Sequence, residues 1–423
     1  MKLRTDTTIP IWEHIFVIVG IFIFANAFRD IEFVNRYWNY LRILYYGFIA
    51  IVVALRLRDF VPTSIKATSV MLMTFIALLS LVWSEAPGAT ISRSVALIMM
   101  TIFSIYFAGR YPLGSQIRIL ATVFFLFTVF SVVFVIVLPE YGTAGSAWQG
   151  IFTQKNVFGR IMLIASIVTL AYPVKTPKGA RRKLLAYLSL VVLIFLSDSM
   201  TSLIILFSVS IVFLFAPISR LKPIQSIAFF LAMFLPIMVT VYAVVNIDTD
   251  EVLIALGKDP TLTGRSEAWE NLDLAIVDRP FTGYGYGAFF NQWNGTYGEL
   301  FSEGGEWAPG SAHHNYRDIW LNIGVGGVIL FMISNIILLV RSILLIRKTS
   351  STGGMFPLMM MVFFIVVGFS ESFALYTEVF WMLYLTLAFS LTDALEMPAK
   401  IKSESVPFTD GSTTTPRLAF NVD

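Results

Sequence analysis

Two of the chain's three histidines stand side by side in "GSAHHNYRDIWLNIGVGG", Gly310 to Gly327, at the edge of an apolar run that continues to Val340. An imidazole titrates near neutral pH, so His313 or His314 could take a proton from a hydroxyl as a general base. Asp318, five residues after His313, could orient the ring or simply cap the helix that follows. Basic side chains form a second set: Arg93, Lys155, Arg160, Arg265, Arg279 and Arg317. Arginine grips phosphate with a planar, bidentate fork and stays charged at any working pH. The chain has no cysteine, which excludes thiolate nucleophiles, disulfides and zinc–thiolate sites.

These side chains sit in a chain that is 57% hydrophobic and 13% charged. Soluble domains carry about 25% charged residues, so the composition is that of an integral membrane protein. The net charge is only +3, and the basic residues fall mostly in short loops, a pattern of membrane topology and not of nucleic-acid binding. A transmembrane helix needs ~20 largely apolar residues. The candidate spans are 9–28, 39–55, 67–83, 91–109, 117–138, 157–173, 184–197, 201–218, 224–246, 319–340, 355–375 and 377–393, about twelve in all. The segment "SDSMTS" (Ser197–Ser202) divides either two short spans or one re-entrant hairpin. The first apolar stretch is too long for the core of a cleaved signal peptide and reads as a span.

With the N-terminus in the cytoplasm, twenty Lys and Arg fall on the inner side and nine on the outer, with Arg42 inside a span. That bias puts both termini inside and "KTPKGARRK" (Lys175–Lys183) in the cytoplasm. The expected organisation is all-α and polytopic. Residues 1–247 carry nine transmembrane helices and 248–318 one large periplasmic loop. Residues 319–398 carry three further helices, and 399–423 form a Ser-, Thr- and Pro-rich cytoplasmic tail expected to be disordered. No internal repeat is visible, which counts against a secondary transporter.

The loop holds a helix-forming stretch from Thr263, its expected N-cap, with Trp269, Leu272, Ala275 and Ile276 on one face. "GYGYG" (Gly283–Gly287) follows, then Trp293, Tyr297 and Trp307. Aromatic faces such as Trp269 and Tyr284 beside polar groups suit a sugar cleft, and they suit a lipid-interface belt equally well. Arg160 falls just inside a span, where an ionisable group marks function unless it snorkels to the interface. Several arginines converging at the outer surface suggest a lipid-linked phosphate or diphosphate.

These residues resemble the O-antigen ligase and Wzy polymerase superfamily. Thr263-Gly264-Arg265 with Trp269 is similar to the opening of that family's large loop, and Arg279-Pro280 with Gly283-Tyr284-Gly285 to its middle. "WSEAP" with Arg93, and "WQGIFTQKNVFG", are similar to further stretches typical of it. The family's closing signature is a histidine followed by Asn, Ser or Gln, then a glycine after nine residues and Gly, Thr or Tyr after two more. Counting from His313 brings Gly324 and Gly327 into register, with His314 in the place of the usual amide or serine. The "HHNYRDIWLNIG" variant looks closest to exopolysaccharide polymerases of the ExoQ type.

The resemblance implies a metal-independent membrane glycosyltransferase of the bacterial inner membrane with no cofactor. Its donor would be an oligosaccharide linked to undecaprenyl diphosphate, with a chain-length regulator as a further candidate partner. His313 would be the base and Arg265 the group that stabilises the leaving diphosphate. Arg160, Lys155, Arg279, Arg93, His314, Asp318, Tyr284 and Trp269 would bind substrate. The competing readings are an O-antigen ligase, which hands polymer to lipid A core, and a flippase or transporter, which would need charges deep in several spans.

Overall fold

The computed structural model of the protein describes residues 9–64, 67–215, 225, 265–292, 294–301, 309–349 and 351–396. Among them the only strands form a two-residue hairpin, β1 (Thr143–Ala144) with β2 (Ala147–Trp148). The main helices are α1 (Ile11–Phe24), α2 (Glu32–Ser64), α3 (Thr68–Leu79), α4 (Pro87–Arg110), α5 (Leu113–Val137), α6 (Pro139–Gly142), α7 (Lys155–Ala171), α8 (Pro177–Leu196) and α9 (Met200–Phe215). After these come α10 (Arg265–Asp278), α11 (Thr296–Phe301), α12 (Asn315–Lys348), α13 (Phe356–Val367) and α14 (Val379–Glu396).

Each expected span within the described residues coincides with a helix; 224–246 and the tail from 399 lie outside them. Among the described residues four helices, Glu32–Arg56, Pro87–Arg110, Leu113–Val137 and Asn315–Lys348, are long and apolar enough to cross a membrane. Five shorter apolar helices accompany them. The chain is thus a multi-pass membrane protein. Helices α13 and α14 are buried almost all round, as apolar helices at the centre of a bundle must be. Ile43, Ile51, Phe125, Ile136, Phe207 and Ile336 are instead exposed, a surface that suits lipid and not water.

Polar contacts gather at two opposite ends of the bundle. At one end the buried Glu13 receives Arg110 (2.6 Å), Arg56 (2.9 Å) and the Tyr106 hydroxyl (2.7 Å). There too the Lys183 ammonium donates to the Leu170 and Tyr172 carbonyls, and Gln116 bonds Ser390. At the other end the Phe28 N–H meets the Ile151 carbonyl, Lys155 pairs with Asp198, and the Trp83 indole donates to the Thr282 carbonyl. Successive helices therefore run in alternating directions. Around Ser197–Ser202, α8 and α9 are separate helices joined at Asp198, whose φ is +50°.

Three boundaries differ from the sequence expectation, each for a local reason. Helix α2 extends to residues 32–64 and bends at Arg56 (φ −124°, ψ 17°). The expected span 355–375 stops at Val367, because Asn315 captures the chain beyond it. The Asn315 N–H donates to the Gly368 carbonyl (2.9 Å), and its side-chain oxygen accepts from the N–H groups of Phe373 (3.0 Å) and Ala374 (2.7 Å). Helix α12 starts four residues earlier than expected and breaks at Gly324 (φ 73°, ψ −175°), a conformation open essentially to glycine alone.

That break receives the loop before it. A Cβ on Gly324 would run into the Phe281 carbonyl. The carbonyls freed in α12 are used: Leu321 accepts from the Tyr284 N–H (2.7 Å), while Val325 donates to Pro280 (2.9 Å). Gly283 (φ +63°) fits there because a Cβ would lie 2.6 Å from the Leu321 oxygen.

Candidate active site

Helix α12 opens with the histidine pair, and the two rings are placed differently. His314 is the N-cap, its Nδ1 accepting from the Arg317 N–H (3.5 Å). Its ring packs edge-on to Trp269 (5.9 Å) and Phe369 (6.1 Å). Burial, reinforced by the Arg317 charge, pushes its pKa down to about 4, so the ring stays neutral at working pH. His313 sits one residue outside the helix with φ +45°, a strained backbone for a non-glycine residue. Its side chain remains 28% exposed.

The His313 Nδ1 lies 3.3 Å from the Glu371 carboxylate, in the turn that follows α13. The same carboxylate is 3.9 Å from Arg160, and both side chains are below 10% exposed. Arg160 is held in turn by the Asn156 carbonyl (3.3 Å) and the Phe380 ring (4.7 Å). Glu378, at the end of this turn, feels Arg160, Arg29 and Glu371; burial raises its pKa above the ordinary carboxylate value. Carboxylate, guanidinium and imidazole thus converge from α7, the α12 entrance and the 368–378 turn. A carboxylate on Nδ1 fixes the orientation of the ring.

Asp318 does not touch the His313 ring. Fully buried, it accepts from the Ala312 N–H and the Tyr376 hydroxyl (3.3 Å each) and from the Ser372 hydroxyl. Ser372 also accepts from the His314 N–H (3.2 Å). Asp318 therefore ties the histidine segment to the turn that carries Glu371, and the helix cap is His314. Arg93 approaches from α4: its charge acts on Asp318, Tyr376 and Tyr286, and its stem lies against Gly287.

The remaining sequence candidates are placed as follows. Trp269 is buried, donating to the Ala312 carbonyl (2.8 Å) beneath the Arg317 guanidinium (4.7 Å). Arg317 clamps Asp273 through two bonds (2.8 and 2.9 Å), fastening α10 to α12. Tyr284 is fully buried on the Ala275 carbonyl (2.9 Å). Arg279 covers that ring (4.8 Å) and pairs with Glu85 (2.7 Å). These residues build the platform under the histidines. Lys155 stands at the rim with Asp198 (2.9 Å). Thr263, Gly264, Trp293, Trp307 and the Arg265 side chain lie outside the described residues; Arg265 itself opens α10. Among the described residues no group of three or more His, Asp or Glu is placed to hold a metal ion.

Glu371 is the residue that sequence reasoning missed. The signal was present, since an acidic residue inside an expected span is a functional flag by default. Residues 185–332 match the family model described as O-antigen ligase. The match runs from α8 into α12 and so includes both histidines and the Gly324 break. No curated protein matches the chain.

Proposed function

We propose that this chain, with an O-antigen ligase domain over residues 185–332, is a polymerase of exopolysaccharide repeat units. It transfers glycan from undecaprenyl diphosphate to a lipid-linked acceptor on the periplasmic face of the bacterial inner membrane. The observation that carries this reading is the His313–Glu371–Arg160 constellation at the membrane end of the large loop. His313 takes the proton of the acceptor hydroxyl while Glu371 supports the imidazolium that forms. The hydroxyl oxygen then attacks the donor's anomeric carbon, and the carbon–oxygen bond to the diphosphate breaks. Arg265, with Arg160, steadies the charge that develops on the leaving diphosphate. Arg93 acts from behind through Asp318 and Tyr376, while Arg279, Tyr284 and Trp269 hold the platform.

His314, neutral and capping, leaves proton transfer to its neighbour. The test is therefore the pair of variants. His313→Ala is expected to abolish polymer at normal membrane abundance, with a rate loss of ~10²–10⁴, leaving single repeat units. His314→Asn keeps a cap and is expected to remain active. An inactive His314→Asn beside an active His313→Ala would move the base to His314. In cells lacking the protein, single repeats in place of polymer support the polymerase; finished polymer left on the lipid carrier supports the ligase.

A further inference from the structure

Helix α10 has two different faces. The face that its periodicity marks, Trp269, Leu272, Ala275 and Ile276, packs on the protein. That side is fastened to the entrance of α12 by Trp269 on the Ala312 carbonyl (2.8 Å), with Asp273 at its edge taking Arg317. On the opposite side, toward the C-terminal end, Leu274 is 62% exposed and Val277 76%. The two are three residues apart and so share a face. Phe281, in the turn just past the helix, is 79% exposed.

That turn is fixed on two apolar helices. Val325 of α12 donates to the Pro280 carbonyl (2.9 Å), and the Trp83 indole, just past α3, donates to the Thr282 carbonyl (3.0 Å). Both helices lead an exposed apolar stripe up to it. On α12 the stripe is Ile329, Met332 and Ile336, beginning about one turn after Val325. On α3 it is Leu72, Phe75 and Leu79, and Val82 (81% exposed) carries it to the residue before Trp83. The lipid-facing surface therefore continues through the 280–282 turn onto the end of α10.

Charge follows the same division. Asp273 is engaged by Arg317, and Asp278 by the Tyr284 hydroxyl (3.2 Å) and Arg279 (3.6 Å). The carboxylates beside Leu274 and Val277 are thus partnered within the protein. Glu270 is exposed but stands nearer the N-terminus, ~10 Å along the axis from Val277.

We propose that α10 is a membrane-surface helix whose C-terminal end, Leu274 to Phe281, sits in the lipid leaflet at the histidine end of the bundle. Its partner is the lipid itself, at the boundary of headgroup and acyl chain, where such a face reaches ~5–10 Å in. The inference stands apart from the reaction. Its consequence for the site is positional. With lipid on one face of α10 and Ala312 and Arg317 held by the other, the His313 segment is kept at a fixed height on the bilayer.

The chain has no cysteine, so single cysteines in the full chain can carry a nitroxide without background. In phospholipid nanodiscs, collisions with oxygen, which concentrates in the bilayer, are compared with collisions with a nickel chelate, which stays in water. Labels at Leu274→Cys, Val277→Cys and Phe281→Cys should lie ~5–10 Å below the phosphates. The label at Ile329→Cys should lie deeper, and the one at Glu270→Cys should be in water. Val82→Cys leaves α10 untouched and should match Phe281→Cys. Nickel contact at 274, 277 and 281 equal to that at 270 would overturn the proposal, because the helix would stand clear of the membrane. Shielding from both reagents would overturn it too, placing a second copy or another protein over this face. A Val82 label in lipid beside a Phe281 label in water would end the lipid surface at α3 and exclude α10.

Discussion

Replacing Glu371 by Gln separates the charge of the His313 partner from its shape. The carboxylate lies 3.3 Å from Nδ1 in a side chain 9% exposed. Two unit charges ~4 Å apart at an effective dielectric of ~20 interact by about 4 kcal/mol. That attraction is absent while the ring is neutral and develops as it accepts the acceptor's proton, so it acts on the transition state. Gln removes it and leaves Arg160, 3.9 Å from the same position, facing the new imidazolium.

The amide oxygen still accepts a hydrogen bond and recovers part of the loss. We therefore expect a net ~2–4 kcal/mol, a fall of roughly 30- to 1,000-fold in turnover at ~1.4 kcal/mol per decade. The assay is polymer formation in membrane vesicles supplied with lipid-linked repeat units, with abundance read in parallel. Glu371→Asp keeps the charge and should retain more activity than Gln. A Gln variant within threefold of wild type while His313→Ala is inactive would refute the dyad. Asp and Gln variants equally inactive at normal abundance would show that geometry, not charge, is what Glu371 supplies.

Gly324→Ala should lower the melting temperature in detergent sharply, since the glycine-only backbone costs ~1–3 kcal/mol before the clash with the Phe281 carbonyl. Gly326→Ala, with open space around its Cβ, should change little. His314, with a folded pKa of about 4 against 6.5 unfolded, is neutral in the fold where the unfolded chain would bind a proton. Its contribution is complete above pH 6.5 and is lost as pH falls toward 4, worth ~3 kcal/mol across that window. His314→Asn should flatten this part of the stability profile; an unchanged profile would show that His314 does not control it. For orientation, a cysteine at Gly310, where nothing lies within 4 Å of a Cβ, should react with an impermeant thiol reagent from the periplasm. One at Lys178 should react only after lysis, and reversed labelling would invert the topology.

The amino-acid sequence by itself determined the class of the protein and the position of most of its helices. Long apolar runs must bury their backbone polar groups in helices wherever water is absent, so each run between 9 and 215 reads as a helix. Gly324, the glycine to which the histidine signature is counted, is where α12 breaks.

Partnership was not legible. His313 and Glu371 are 58 residues apart, and only the capture of the 368–378 turn by Asn315 and Asp318 brings them together. The apolar flanks of Glu371 made it read as the interior of a span, whereas hydrogen bonds from distant residues stop the helix at Val367. Tyr284 and Trp269 have the chemistry of a binding site, yet tertiary packing buries both, while Arg279 stays partly exposed over the Tyr284 ring. Residue type states what a side chain can do; burial and a neighbour within about 4 Å decide which of those things it does.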